Sequence, residues 1–373
     1  MPLKRSKSEL AGNAALLLAS IALSLALVEL GMRVVDGVPI TQFPNFVSKQ
    51  LDLVQDFGDS NRYDPLLGWR LKENLRYKAS PGAVGFNTGD YGVRMNSGNL
   101  AAVPHNAILA IGDSFTLGSE VDDHESWPAH LERLAQVNVV NAANGGYGVD
   151  QIVLRAEQLA AELSPKVIVA VFLSWDIYRN AFDLFGGGGK PYFTVEDGKL
   201  VHHNNPVKRI SATPNDIGWS RVVLGRSYAI HKVMSKINAD RWIDNGRRNR
   251  RILPTETAIS SSCLLIERLA RLGLASKTKV VVGFVYGGSE VAAKDIPSFV
   301  PPVISCARQT GLEVVDVWGS LIKLPPDELK KLYVMHPTLD NIWGHLSSAG
   351  NQYVANALCR RLPDCQDKLS RKD

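Results

Sequence analysis

Ala107-Ile108-Leu109-Ala110-Ile111-Gly112-Asp113-Ser114-Phe115-Thr116-Leu117-Gly118 is the stretch on which the reading of this chain turns. Five consecutive apolar residues closed by a glycine have the pattern of a strand buried on both faces. A serine directly after such a strand stands at the C-terminal edge of a parallel sheet, where α/β enzymes gather reactive groups. Its backbone N–H there is also placed to serve a developing oxyanion. A plain strand-to-loop turn leaves the same trace, and Gly-Asp-Ser alone is weak. Gly58-Asp59-Ser60 repeats it after Val54-Gln55-Asp56-Phe57, which is no buried strand. Nothing around Ser114 reads Gly-x-Ser-x-Gly, so the sharp elbow of the α/β-hydrolases is excluded.

Outward from this stretch the chain alternates between the two periodicities. Trp127–Gln136 reads as a helix, Val137–Val140 as a strand, Val149–Leu163 as a helix stopped by Ser164-Pro165, and Val167–Leu173 as an apolar, β-branched strand. The rhythm resumes with a helix at 257–273, a strand at Lys279–Val285, a helix near 298–310, a strand at Leu312–Val317 and a last helix at 348–361. Strands alternating with helices predict a parallel sheet covered on both faces. Between about 183 and 254 the pattern breaks. A hairpin (Tyr192–Val195, Asp197-Gly198, Leu200–His202) and a basic helical stretch near 221–245 suggest an insertion forming a lid or side wall. Gly186 to Gly189 followed by Lys190 is not a phosphate loop, because Leu184 and Pro191 stand where the first glycine and the hydroxyl residue belong.

Three further segments carry chemistry. Val139-Val140-Asn141-Ala142-Ala143-Asn144-Gly145-Gly146-Tyr147-Gly148 lies between a strand and a helix, where glycine lets backbone N–H groups approach a ligand. Ser174-Trp175-Asp176 comes directly after the strand Val167–Leu173. His336-Pro337-Thr338-Leu339-Asp340-Asn341-Ile342-Trp343-Gly344-His345-Leu346 precedes the last helix. Taken in chain order with Gly112-Asp113-Ser114, these segments resemble the motif blocks of the SGNH/GDSL hydrolases. That resemblance implies a three-layer, flavodoxin-like parallel sheet. It makes Ser114 the nucleophile and His345 the base, with Ser114 and Gly146 N–H groups in the oxyanion hole and Asp113 and Asp176 in support. The chain departs from the family twice. Trp175 stands where an asparagine donor is expected, and Ile342 holds the usual acid position, three residues before the histidine. The nearest acid is Asp340, which orients His345 if the loop bulges; otherwise serine and histidine act as a dyad. Losing one oxyanion donor costs about 2.7–4 kcal/mol. An indole N–H is a possible substitute, and a plain aromatic wall is the alternative.

The N-terminus adds a location. Ala11 to Val28 is uncharged, and eighteen helical residues rise about 27 Å, close to the hydrocarbon core of a bilayer. Lys4, Arg5 and Lys7 precede it, which favours a cytoplasmic N-terminus and export of the chain beyond the span. The expectation is an uncleaved signal anchor; cleavage near Ser24-Leu25-Ala26 is the rival. The resulting organisation is a cytoplasmic end and anchor (1–36), a tether with lead-in strands (37–104), an SGNH-like domain (105–365) interrupted by the insertion, and a polar tail (366–373). Leu67-Gly68-Trp69-Arg70-Leu71-Lys72 and Tyr91-Gly92-Val93-Arg94 resemble the lead-in of membrane-anchored SGNH proteins linked to envelope polysaccharide. The implied activity is hydrolysis of acyl, in particular acetyl, esters on an envelope glycan. Acyl transfer to polysaccharide, or a silent carbohydrate-binding or assembly role, are the alternatives.

Composition closes other doors. Hydrophobic residues at 45% and charged residues at 21% exclude global disorder, and a net charge of +5 does not point to nucleic acid. The short cationic run Arg247-Arg248-Asn249-Arg250-Arg251 reads as a solvated face or membrane-proximal charge. His202-His203 lacks partners at metal spacing, and the proposed chemistry needs no metal or organic cofactor. Cys263, Cys306, Cys359 and Cys365 allow three disulfide pairings in an exported domain. Cys263 with Cys306 and Cys359 with Cys365 is the expected set, with buried free thiols as the alternative.

Overall fold

The apolar run before Ser114 forms strand β1, Ile108–Gly112, buried at every position. It belongs to a computed structural model that describes residues 7–48, 60–77, 84–97, 103–209, 218–238, 241–242, 249–335, 343–363 and 365. Four more strands complete the sheet: β2 Val139–Asn141, β3 Val167–Leu173, β4 Lys279–Val285 and β5 Glu313–Asp316. All pair in parallel, in the order β2-β1-β3-β4-β5. This is the flavodoxin-like 2-1-3-4-5 order, and the chain reverses its direction of travel across the sheet between β1 and β3. The fold class read from the sequence is the one observed.

The strands are β because parallel pairing buries both faces, and β3 answers with Val-Ile-Val-Ala-Val-Phe-Leu, apolar and buried throughout. Each fully buried side chain of this size contributes about 1.5–3 kcal/mol relative to exposure. Gly112 ends β1 for a steric reason. A Cβ there would stand 2.1 Å from Thr116 Oγ1 and 2.7 Å from Val171 O. The crossover helices Val149–Leu163 and Val300–Gln309 both pack on Thr255–Ser276, while Trp127–Ala135 packs on Ser348–Cys359. The disulfide Cys263–Cys306 ties two helices of the first group, and Cys359–Cys365 closes the end of the last helix, the pairing expected.

The insertion, expected as a lid or side wall, divides between two compact units. The hairpin of Tyr192–Glu196 and Lys199–His203 pairs antiparallel and sends Phe193 into the main core. Phe182–Phe185 pairs with Gly188–Gly189 and with Arg250–Arg251 in a small sheet that the sequence pattern did not announce. Lys190 is buried beneath it, bonded to the Asp150 carboxylate and to Pro191 O at 2.8 Å, so the glycine-rich run presents a structural lysine. Residues 210–248 instead form a second compact unit with residues 1–54. In it, the apolar helix Lys7–Val35, the helices Trp219–Leu224 and Tyr228–Ile237, and a small cluster around Val47 and Trp242 come together. The tether expected within 37–104 is thus partly committed: Asn45 Nδ2 donates to Arg221 O and Val222 O, both at 3.0 Å. The segment 11–35 is long and apolar enough to cross a membrane, with mean hydropathy 2.2. That is compatible with a membrane anchor or a signal sequence.

Candidate active site

The direction reversal between β1 and β3 leaves a crevice beyond their C-terminal ends, and ligands bind at such a point in open α/β sheets. Ser114 lies just beyond the end of β1 and Ser174 is the first residue after β3, so both motif segments flank the crevice. Asp113 is the N-cap of the one-turn helix Ser114–Leu117, its Oδ1 accepting the Phe115 N–H at 2.9 Å. Capping fixes the backbone at the serine, which is 9% exposed, and Ser114 Oγ lies 3.4 Å from Asp113 Oδ2.

A buried ionic network joins the two strand ends. Arg179 Nη1 donates to Asp113 Oδ2 at 3.0 Å, to Asp176 Oδ1 at 2.6 Å and to Tyr147 O at 3.0 Å. Asp176 Oδ2 accepts the Leu173 N–H at 2.8 Å. Burial, together with the neighbouring Asp113 carboxylate, pushes the Asp176 carboxyl well above the usual range, against the pull of Arg179. The aspartates named in the sequence therefore anchor loops, and the sequence reading missed the arginine that holds them together. Its i,i+3 spacing from Asp176 was the available signal.

The glycine loop after β2 reaches the serine. Ala142 N–H and Asn144 N–H donate to Ala110 O and Gly112 O at 2.9 and 3.2 Å, continuing the ladder with β1. A Cβ on Gly145 would lie 4.0 Å from Ser114 Cβ. Gly146 comes next at φ +77°, a conformation glycine adopts at no steric cost. The lead-in residue Trp69 and the loop's own Tyr147 brace it: Trp69 Nε1 donates to Gly145 O at 3.0 Å and Tyr147 Oη donates to Trp69 O at 2.7 Å. Arg94, from the second lead-in motif, is buried and grips the loop after the serine. It donates to Leu117 O at 2.7 Å, Val121 O at 2.6 Å and Asp123 Oδ1 at 3.0 Å.

Trp175 is 46% exposed, in edge contact with Tyr178 and Phe299. Ser174 Oγ donates to the Glu290 carboxylate at 2.7 Å. Burial raises the Glu290 carboxyl, opposed by the bond from Ser174.

His345 lies on the short strand Trp343–Leu346, paired antiparallel with Tyr333–Met335. Its ring centroid stands 5.2 Å from that of Phe115, the residue after the serine. Asp340 and the neighbouring His336 lie outside the described residues. Among the described residues the acid at His345 is Glu120, which the sequence reading did not single out. Glu120 Oε2 accepts the His345 backbone N–H at 2.7 Å and faces Nδ1 at 3.4 Å. The interaction with His345 holds the Glu120 carboxyl below the usual glutamate range, against partial burial. No linear spacing reveals this pair, because Glu120 comes from the loop that Arg94 holds after the serine. Gly344 makes room for it: a Cβ there would meet Glu120 Oε2 at 2.4 Å. One amide ties the histidine side to the serine side. Asn351 Oδ1 accepts the Trp127 N–H at 2.9 Å while its Nδ2 donates to Leu346 O at 3.1 Å.

A scan against protein-family models finds no match, and a search of curated proteins finds none either. Solved structures do match. A protein described as lipolytic and of the G-D-S-L family, from Desulfitobacterium hafniense, aligns over 69% of this chain and 100% of its own, at 13% identity and TM-score 0.38. TesA aligns over 69% of this chain and 98% of its own, at 15% identity and TM-score 0.38. The acetyl xylan esterase AlAXEase aligns over 68% and 98%, at 11% identity and TM-score 0.39. What this chain shares with these proteins is a similarity of fold.

Proposed function

We propose that the α/β unit is a serine esterase of the SGNH/GDSL type, held on the outer side of a membrane by the helix Lys7–Val35 and acting on acyl esters of envelope glycans. The observation that carries the reading is Ser114 capped at the end of β1, beside the reversal point, with the His345 ring packed against Phe115. Ser114 Oγ attacks the ester carbonyl as His345 takes its proton. Backbone N–H groups of Ser114 and Gly146 receive the negative charge on the carbonyl oxygen. The tetrahedral adduct collapses, the C–O bond to the sugar breaks, and His345 returns the proton to the departing alcohol. Water, deprotonated by His345, then releases the free acid and restores the serine. Two disulfides support an oxidising compartment, which agrees with export. The half-exposed Trp175 offers a sugar ring a flat apolar face beside the crevice.

Trp175, half-exposed at the position where an asparagine donor is expected, favours a second reading, in which a shallow oxyanion hole leaves a slow enzyme, an O-acyltransferase or a silent glycan-binding protein. Fluorophosphonate labelling and hydrolysis of acetylated glycans by the native chain, beside Ser114→Ala, separate these. The esterase reading expects labelling and release of free acid, with the alanine variant at least ~10⁴-fold slower. Transfer of the acyl group to added glycan in place of acid release indicates the transferase. Native protein no better than Ser114→Ala in both assays rules out the enzyme.

A further inference from the structure

The second compact unit binds the end of its apolar helix through groups that a simple tether would not need. Glu29 sits one turn before Arg33 near the C-terminal end of that helix, inside the apolar segment 11–35. Its Oε2 accepts from Ser227 Oγ at 2.7 Å and from the Ala229 N–H at 2.9 Å, and its Oε1 accepts the Tyr228 N–H at 2.8 Å. These are the free N–H groups at the start of the helix Tyr228–Ile237, so a carboxylate on one helix caps the other. Arg33, itself buried, donates to Pro39 O at 2.9 Å, Gln42 O at 2.7 Å and Arg226 O at 3.3 Å. The cap and the arginine fix the level of both short helices against the last two turns of the apolar helix.

The short helices keep an inner apolar face and show an outer one. Val222, Ile230 and Met234 pack on Val47 and Trp242. Trp219 and Val223, one helical turn apart, are 81% and 58% exposed, and Val233 and Ile237, again one turn apart, are 46% and 75% exposed. The apolar helix ends in the same state, with Val34 and Val35 solvent-facing. Leaving side chains of this size in water forgoes the gain of burying them. An amphipathic pair with an outward tryptophan, locked to the end of a membrane-length helix, has the composition of a segment lying in the interfacial plane.

We infer that the helices Trp219–Leu224 and Tyr228–Ile237 form a membrane-interface element, seating Trp219, Val223 and Ile237 in the headgroup region at the C-terminal end of the span. The inference rests on reading 11–35 as a span, and the experiment tests the two separately. All described cysteines are disulfide-bonded, so one introduced cysteine carries one nitroxide. The full chain is reconstituted in phosphatidylcholine vesicles with a label at Leu18→Cys, Val223→Cys, Ile237→Cys or, as an aqueous control, Lys199→Cys. Relative accessibility to dissolved oxygen and to a water-soluble nickel chelate is then measured. Oxygen is favoured at 18, 223 and 237, with ratios several-fold above that at 199, if the inference holds. Oxygen favoured at 18 with nickel favoured at 223 and 237 overturns the interface element and leaves the span. Nickel favoured at all three overturns both. Protection of 223 and 237 from both reagents overturns the lipid assignment in favour of a protein partner.

Discussion

The two sides of the candidate site are built by opposite means. The serine side is interior architecture: Ser114 stands at the end of a strand buried throughout, and its neighbours Asp113 and Asp176 are locked on one buried guanidinium. The histidine side is surface architecture. His345 rides a four-residue strand, and its side chain and that of Glu120 keep 31% and 40% of their exposure. A buried ionic cluster is rigid and costly to break, whereas a half-exposed pair is weak and screened. Position is therefore invested in the proposed nucleophile, and adjustability is left to the proposed base.

That contrast invites tests of graded size. Arg179→Met leaves Asp113 and Asp176 facing each other in a buried space, and is expected to cost about 3–5 kcal/mol of stability, read from chemical denaturation. Without the guanidinium the Asp176 carboxyl, already raised by burial, loses the charge that opposes that rise, so the native state keeps a proton there that the unfolded chain has lost. The deficit of the variant therefore grows as pH rises through the raised Asp176 value. A variant as stable as the parent at neutral pH would dissolve the contrast.

Glu120→Gln keeps an acceptor for the His345 N–H and removes the charge facing Nδ1. The expected result is a loss of about 10–100-fold in kcat with KM unchanged and the denaturation midpoint little moved. The lowered carboxyl of Glu120 gives a sign as well. Its contribution is present above the ordinary glutamate range and is lost as pH falls through its depressed value, so the parent loses in acid what the variant never had. Equal kcat in parent and variant returns the acid role to Asp340 or leaves a dyad. Trp175→Ala carries the smallest effect. A lost aromatic face is worth on the order of 1 kcal/mol, about fivefold in KM for a polymeric glycan ester, with small soluble esters unaffected.

The same contrast explains what the sequence made legible. β3, β4 and the helix Val149–Leu163 were readable to the residue, because burial on both faces or on one stripe writes itself as composition and period. Ser114 was readable because a buried strand pointed at it. Glu120 was not, since its meeting with His345 depends on Arg94 folding a loop across the sheet edge, and no period records that. The division of the insertion was not legible for a related reason. Its hairpin and its helices have unlike patterns, and only tertiary packing tells which core each joins. Asp340, chosen by counting residues along the chain, lies outside the described residues.

The Asn351 bridge has a consequence for the order in which this protein is made. Every strand of the sheet, through β5 at Glu313–Asp316, emerges before residue 343, and the serine with its ionic cluster is complete in that portion. The proposed base and the amide that docks its strand to Trp127 emerge later. Under the proposed mechanism, a nascent chain that has not emerged beyond residue 342 holds Ser114 with nothing to take its proton, so activity awaits the docking of the helix Ser348–Cys359.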